Sequence, residues 1–236
     1  MWALPSVTEP IRLGTRASKL ARTQSAAVGA ALAGSSQRPW LEVLVRTPGD
    51  DTTKPLDQPG SPGLFVSTLR RALLAGEVDV IVHSFKDLPS APEPGIVLAA
   101  VPVRADPRDA LVSRDGLCLA DLPSGSTVGT SSPRRAAALA RQRPDLVLTP
   151  IRGNVDTRLG RVRDGEVDAT VLAVAGLTRI GRPTEIAEIL DDLLPAPAQG
   201  ALAVECREDD ADMRALVATI DDPQARLVTS AERHVL

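Results

Sequence analysis

The sequence predicts an α/β protein built as two lobes, each a mixed, largely parallel sheet covered by helices, with a cleft between them. Three observations carry this. Short apolar runs that read as strands alternate with segments of helical period. Polar and charged residues cluster directly after those runs, where open α/β sheets bind ligands. Two proline-rich stretches, 102–107 and 194–199, bracket the second set of elements. The chain therefore leaves a first lobe near residue 103 and returns near residue 199. The expected domains are 1–102 plus 199–236, and 103–198, joined by two hinge crossings.

The elements follow in order. Ile11 to Thr15 reads as a strand, and Ser18 caps a helix that runs to Leu32. Leu41 to Thr47 alternates as a strand. Pro48 to Gly63 has no apolar period and reads as a long loop, a kind often used as a lid or binding loop. Leu64 to Ala75 is a helix stopped by Gly76. Val78 to His83 is a buried strand that runs out into Ser84-Phe-Lys-Asp-Leu-Pro89, and Ile96 to Val103 is a further strand. In the second lobe the strands Ser126–Thr130, Leu146–Pro150 and Asp168–Ala173 alternate with helices at Ser131–Gln142, Val155–Asp164 and around Gly176. Ala201 to Cys206 is the returning strand, and Arg207 to Asp212 reads as a solvated helix face.

The composition narrows the function. With 236 residues, 43% of them hydrophobic, the chain can bury a core in one large or two small domains. Two Trp, two Phe and no Tyr make that core aliphatic and make base stacking a poor binding mode. A net charge of −3 argues against a polyanion binder, so nucleic acid is not an expected partner. Lys occurs only at Lys19, Lys54 and Lys86. The remaining cations are Arg, whose planar forks suit carboxylates and phosphates, although an Ala- and Gly-rich chain also acquires Arg through genome composition. Cys118 and Cys206 form neither a metal-type cluster nor a redox pair, which fits a reducing cytoplasm. The N-terminus lacks the basic start and apolar run of a secretory signal, and no stretch is long and apolar enough to span a membrane. His83 and His234 have no partner at metal spacing, so no metal site is expected and both read as structural. There is no Walker loop and no dinucleotide fingerprint.

The candidate site residues follow strand ends. Arg16 and Ser18 follow the first strand; Ser84, Lys86 and Asp87 follow the strand ending at His83. In the second lobe, Thr130, Ser131, Ser132, Arg134 and Arg135 follow one strand, and Arg152, Asn154 and Arg158 the next. In Gly129-Thr-Ser-Ser-Pro-Arg-Arg135, hydroxyls cap a helix start and Pro133 suits its first turn. That end favours an anion, so two arginines in the same turn are read as directed at a ligand; the alternative is a solvated face with a salt bridge. Together the cations point to a small molecule bearing several carboxylates or phosphates. Asp87 among them can accept from pyrrole-type N–H groups or stabilise a developing cation; without those neighbours a Lys-Asp pair reads as a surface ion pair. Cys206, in the returning strand, is read as core.

These segments resemble the hydroxymethylbilane synthase (porphobilinogen deaminase) family in order and spacing. The shared motifs are Arg12-Leu-Gly-Thr-Arg-Ala-Ser18, His83-Ser-Phe-Lys-Asp-Leu-Pro89, Asp106-Pro-Arg-Asp-Ala110, Gly129 to Arg135, Arg152-Gly-Asn-Val-Asp-Thr-Arg158, Leu172 to Leu177, Leu194 to Gly200, Glu205-Cys-Arg207 and Ala231-Glu-Arg233. The resemblance implies periplasmic-binding-protein-like lobes and a cytoplasmic, usually monomeric enzyme of haem and tetrapyrrole biosynthesis. This transferase condenses four porphobilinogen units with loss of ammonia to give hydroxymethylbilane. It implies Asp87 as the catalytic carboxylate. It also implies that Arg16, Ser18, Ser84, Lys86, Thr130, Ser131, Ser132, Arg134, Arg135, Arg152 and Arg158 hold acetate and propionate groups of porphobilinogen and the growing oligopyrrole. Gln199 matches a position at the lobe junction. Two departures stand out. Gln58 and Pro62 stand where many members carry loop lysines. The family's third, α+β domain, whose cysteine holds a dipyrromethane cofactor by a thioether, has no counterpart before Leu236, and neither Cys118 nor Cys206 matches that cysteine. A truncated enzyme is therefore the expectation, with a noncatalytic binder of small polycarboxylates as the alternative.

Overall fold

The computed structural model describes residues 9–45 and 64–236. The loop expected at 48–63 lies outside the described residues, as do the last two positions of the strand expected at 41–47. The chain divides into two compact units, Met1–Arg104 with Ala201–Leu236, and Ala105–Gly200.

Among the described residues the strands are β1 (Ile11–Thr15), β2 (Trp40–Leu44), β3 (Val80–Ser84), β4 (Ile96–Ala100), β5 (Asp109–Ser113), β6 (Thr127–Gly129), β7 (Val147–Thr149), β8 (Ala169–Ala173), β9 (Glu188–Leu190) and β10 (Leu202–Arg207). The helices are α1 (Lys19–Ser36), α2 (Leu64–Leu74), α3 (Pro133–Gln142), α4 (Val155–Arg163), α5 (Val174–Arg179), α6 (Ala211–Ala218) and α7 (Pro223–Arg233). None is long and apolar enough to cross a membrane.

The first unit is a five-stranded sheet ordered β2-β1-β3-β10-β4. β1 pairs in parallel with β2 and β3, while β10 runs antiparallel between β3 and β4. One core joins Ile11, Leu13, Val80, Val82, Leu202 and Val204 of the sheet to Val28 and Leu32 of α1 and Met213 and Val217 of α6. Helix α1 lies close on β2 because position 29 is glycine; a Cβ there would meet the Trp40 ring at 2.4 Å. α1 runs four residues past its expected end, and Gln37 closes it in the left-handed region at φ 58°. A buried polar core sits in the same unit. Arg70 Nη2 donates to Glu205 Oε1 at 2.6 Å and Arg70 Nε to Oε2 at 3.0 Å, while His83 Nε2 lies 3.3 Å from Oε2. Burial alone would raise the Glu205 carboxyl, but His83 and Arg70 outweigh it and hold it below the usual range.

The second unit is also five-stranded, ordered β7-β6-β8-β5-β9. β6 pairs in parallel with β7 and β8; β5 runs antiparallel to β8 and β9. Two elements here are absent from the sequence reading, β5 and the three-residue β9. Their apolar runs are short, within strands of five and three residues.

One reading is corrected. Arg207 to Asp212 is not a solvated helix face: Arg207 ends β10 and pairs with Asp79 and Asp210, and Asp210 caps α6 by accepting from Met213 N at 3.0 Å. The acidic run is a strand-to-helix junction in which α6 begins at Ala211, and α7 follows where no helix had been placed.

Candidate active site

In each unit the parallel strands end at one sheet edge, and the antiparallel strand begins there. In the first unit β1 and β3 are neighbours in parallel, so Arg16 and Ser18 emerge beside Ser84, Lys86 and Asp87. Ser18 is spent locally, accepting from Ala21 N at 3.4 Å as the cap of α1. Buried Gln24, one turn further along α1, donates from Nε2 to Ser84 Oγ at 2.9 Å. Gln24 was not read from the sequence, and its place on the inward face of a helix starting at Ser18 is the signal that could have found it. After Ser84 the chain makes a 3₁₀ turn, Phe85–Asp87. Phe85 fills the core, Lys86 is half-buried and Asp87 is exposed. Phe85 N donates to Ala201 O at 3.0 Å, which ties the turn to the start of β10.

In the second unit β6, β7 and β8 end where β5 begins, since Asp109 stands opposite Ala173. This edge gathers Thr130 to Arg135, Ile151 to Arg158, α5 and Gln199. Its centre is a residue the sequence reading passed over. Asp109 is fully buried. It receives Arg135 Nη2 at 2.6 Å and Nε at 3.1 Å, Arg134 Nη2 at 2.7 Å and Gln199 Nε2 at 2.8 Å. Burial alone would raise its carboxyl; Arg135, Arg134 and Gln199 overcome that and hold it below the ordinary value. The anion demanded by two arginines in the first turn of α3 is thus supplied first by the protein, and Arg135 is itself turned inward. Asp109 stands in the shared segment Asp106 to Ala110 but was given no site role because β5 was not read, although the buried run Ala110-Leu-Val112 follows it directly.

The hydroxyls of this edge organise the backbone. Thr130 Oγ1 accepts from Ser132 N at 3.2 Å, Ser131 Oγ donates to Ile151 O at 2.6 Å, and Ser132 Oγ accepts from Arg135 N at 3.4 Å as the cap of α3. Asn154 caps α4, accepting from Thr157 N at 2.9 Å. Gln199 is buried and also donates to Pro107 O at 2.7 Å.

Two guanidinium groups differ from Arg134 and Arg135. Arg158 Nε donates to Gly153 O at 2.9 Å, and no described carboxylate lies within ion-pair distance. Burial, then the nearby Arg135 and Arg161, push its pKa down. Arg179 at the end of α5 donates to Gly200 O at 2.7 Å, and burial lowers its pKa as well. Arg179 lies two residues past the noted Leu172 to Leu177 segment and was not singled out. Arg152 is exposed. A surplus of desolvated positive charge, facing backbone carbonyls rather than carboxylates, is what a polyanionic ligand would relieve. Among the described residues no group of three His, Cys, Asp or Glu could hold a metal.

A protein-family model described as porphobilinogen deaminase, dipyromethane cofactor binding domain, matches residues 11–215. The chain is 53% identical over 229 residues to a porphobilinogen deaminase of Nocardia farcinica, covering 96% of this chain and 66% of that one. It is 55% identical over 233 residues to that of Thermobifida fusca, covering 97% and 72%. The chain thus spans 66% and 72% of the lengths of these two relatives. Among solved structures it resembles a periplasmic substrate-binding protein of an ABC transporter from Coxiella burnetii, with a TM-score of 0.54 at 15% identity over 94% of this chain and 96% of that one. Immunogenic lipoprotein A from Vibrio vulnificus gives 0.55 at 11% identity over 94% and 99%. These two likenesses show the fold, that of two-lobed periplasmic binding proteins. The match of the family model across most of the chain, with relatives above half identity, shows that the chain belongs to the porphobilinogen deaminase family.

Proposed function

We propose that this chain binds porphobilinogen and the growing oligopyrrole, and carries the groups that join them in hydroxymethylbilane synthesis. The observation that carries the reading is the chemistry each unit gathers at its sheet edge: an exposed carboxylate, Asp87, in the first, and in the second the desolvated arginines Arg158 and Arg179, which have no carboxylate partner among the described residues.

In this reading the acetate and propionate groups of the pyrroles take Arg16, Arg152, Arg158 and Arg179. Arg134 and Arg135, held by Asp109 and by the carbonyls of Leu194 and Val171, add positive charge beside them. Asp87 accepts from the pyrrole N–H. As the aminomethyl C–N bond of porphobilinogen breaks, its electron pair leaves with ammonia and positive charge grows on the ring nitrogen, where an adjacent carboxylate stabilises it. The free α-carbon of the chain end then forms the C–C bond, and loss of its proton restores the aromatic ring. After four rounds, the C–C bond that holds the first-added unit breaks, a proton returns to the α-carbon on which the chain was started, and water adds to that unit's methylene to give the hydroxymethyl end.

The same arginines fit a dipyrromethane on charge, and that group would supply the α-carbon on which the chain grows. Neither Cys118 nor Cys206 stands beside those arginines. Cys206 lies in the core of the first unit, its thiol pushed up to about 11, chiefly by burial. Cys118 precedes the 3₁₀ turn Leu119–Asp121, whose Leu119 carbonyl is held by Arg143, just before β7 begins, and so it sits at the sheet edge opposite Thr130.

The test is porphobilinogen consumption by the purified protein, with the product oxidised to porphyrin. Loss of porphobilinogen with porphyrin formed, and loss of that activity in Asp87→Asn, is the expected result. Porphobilinogen bound but recovered unchanged would replace this reading with a noncatalytic binder of small polycarboxylates. A cytoplasmic monomer is the form in which we expect the protein to act, and sizing of the active fraction tests the monomer.

A further inference from the structure

Among the described residues nothing hydrogen-bonds to the Asp87 carboxylate, which stands exposed. Its place is set by the backbone of the turn that carries it. That backbone is gripped by one side chain from far along the chain. Arg233, in the last turn of α7, donates from Nη1 to Phe85 O and Leu88 O, each at 3.1 Å, and from Nη2 to Pro89 O at 2.7 Å. Its guanidinium also lies 4.6 Å from the centre of the Phe85 ring. Three carbonyls flanking Asp87 are thus held by one planar group, a geometry that the fork of Arg supplies and the point charge of Lys does not.

The helix behind it is fixed. Asp221, at the entry to α7, accepts from Val101 N at 2.6 Å and pairs with Arg226, whose Nη2 donates to Ala99 O at 3.0 Å. One residue before Arg233, Glu232 takes both Nη atoms of Arg104 at 2.7 and 2.9 Å. The strut is therefore anchored on the strand β4 and on the segment leaving the first unit, and Arg233 is its working end.

We propose that Arg233 is a positioning residue for Asp87: it fixes the 3₁₀ turn so that the carboxylate is presented at one place and angle. This rests on the function proposed above. A carboxylate that stabilises charge only while a bond breaks gains from preorganisation, so a loosened turn lowers kcat more than it raises KM.

The experiment compares Arg233→Gln, Arg233→Lys and the exposed control Leu227→Ser on the same helix. The Leu88 amide, which donates to Phe85 O across the turn, reports the turn directly by hydrogen exchange. In Arg233→Gln that amide exchanges about tenfold faster or more while the amides of β3 stay protected, kcat falls about tenfold or more and KM moves less than about threefold. Arg233→Lys recovers part of both effects, and Leu227→Ser changes neither. In an Asp87→Asn background, Arg233→Gln lowers the residual rate by less than about twofold, since the two act through one group. The proposal is overturned by unchanged Leu88 exchange in Arg233→Gln, or by a full multiplicative loss in the double variant. Exchange needs no turnover, so it decides the strap even where porphobilinogen is not consumed, an outcome that would overturn the functional reading instead.

Discussion

The two sheet edges hold their charged groups in opposite ways. In the first unit Asp87 is exposed and is placed by backbone, with Gln24, Ala201 and Arg233 gripping the turn around it. In the second unit the carboxylate is the buried part, and Asp109 draws Arg134, Arg135 and Gln199 onto itself. Under the proposed function, one edge presents the reacting carboxylate with little stability invested in its side chain. The other concentrates positive charge around an internal anion. On that reading stability and chemistry are divided between two carboxylates of the same charge.

The largest effect should come from removing the buried one. Asp109→Ala leaves Arg135 desolvated without a counter-charge, and the expected loss is about 3–5 kcal/mol in urea denaturation. Asp109→Asn, which keeps one acceptor, should lose less. Values under about 1 kcal/mol for both would break the contrast, because the arginines would then need no internal anion. The same residue sets an acid limb. Asp109 and Glu205 both have carboxyls held below their unfolded values, so their stabilisation is present above about pH 4 and is lost as pH falls through the lower folded values. The Asp109 variants should therefore lose less stability between pH 6 and pH 3, on the order of a unit step apart in repeated denaturation curves, than the parent does. An equally steep acid limb would remove Asp109 from this role.

Next in size is Gly200, where the chain leaves the second unit. Its φ is +87°, and a Cβ there would stand 2.4 Å from Ala105 O and 3.0 Å from Asp106 O. Both obstacles are backbone, so no side chain can yield. Gly200→Ala should cost about 2–4 kcal/mol, and because Gln199 is the preceding residue it should also loosen the Asp109 cluster. A near-neutral variant would show that Gln199 is held by its own amide bonds and not by the turn. Smaller again is Gln24→Ala in the first unit, which removes one bond to Ser84 and should cost about 1 kcal/mol.

The sequence made much of this legible where a residue's neighbours are local. The strands β1, β3, β6, β7, β8 and β10 showed as apolar runs, and the caps Ser18, Ser132 and Asn154 stand at helix starts, where short hydroxyl and amide side chains belong. What stayed hidden is long-range. The pairing of β5 antiparallel to β8 brings Asp109 to arginines 25 and 26 residues away, and no periodicity announces it. Arg233 reaches Phe85 across 148 residues of sequence, and it reads on its own helix as an ordinary last-turn cation. Charge placed against the helix dipole at Arg134 and Arg135 was the one local anomaly that pointed to a missing anion. It was read as directed at a ligand, with a salt bridge as the alternative, and in the structure both arginines pair with the protein's own Asp109.

The smallest stability effect belongs to the residue expected to matter most for chemistry. Asp87→Asn removes a charge that is solvated and that no described side chain meets, so nothing buried is left unpaired. The change should fall within about 0.5 kcal/mol of the parent. Porphobilinogen consumption should nevertheless drop about a hundredfold or more, because an amide offers no negative charge to the ring nitrogen as ammonia departs. Binding should survive, since the acetate and propionate groups are assigned to arginines on other elements, and calorimetric titration with porphobilinogen should give an affinity within about threefold of the parent. A stability loss comparable to that of Asp109→Ala would mean that the turn leans on the carboxylate after all, and the division of labour between the two edges would be wrong. A variant that stays stable and binds but still consumes porphobilinogen at the parent rate would leave the division standing and move the chemistry away from Asp87.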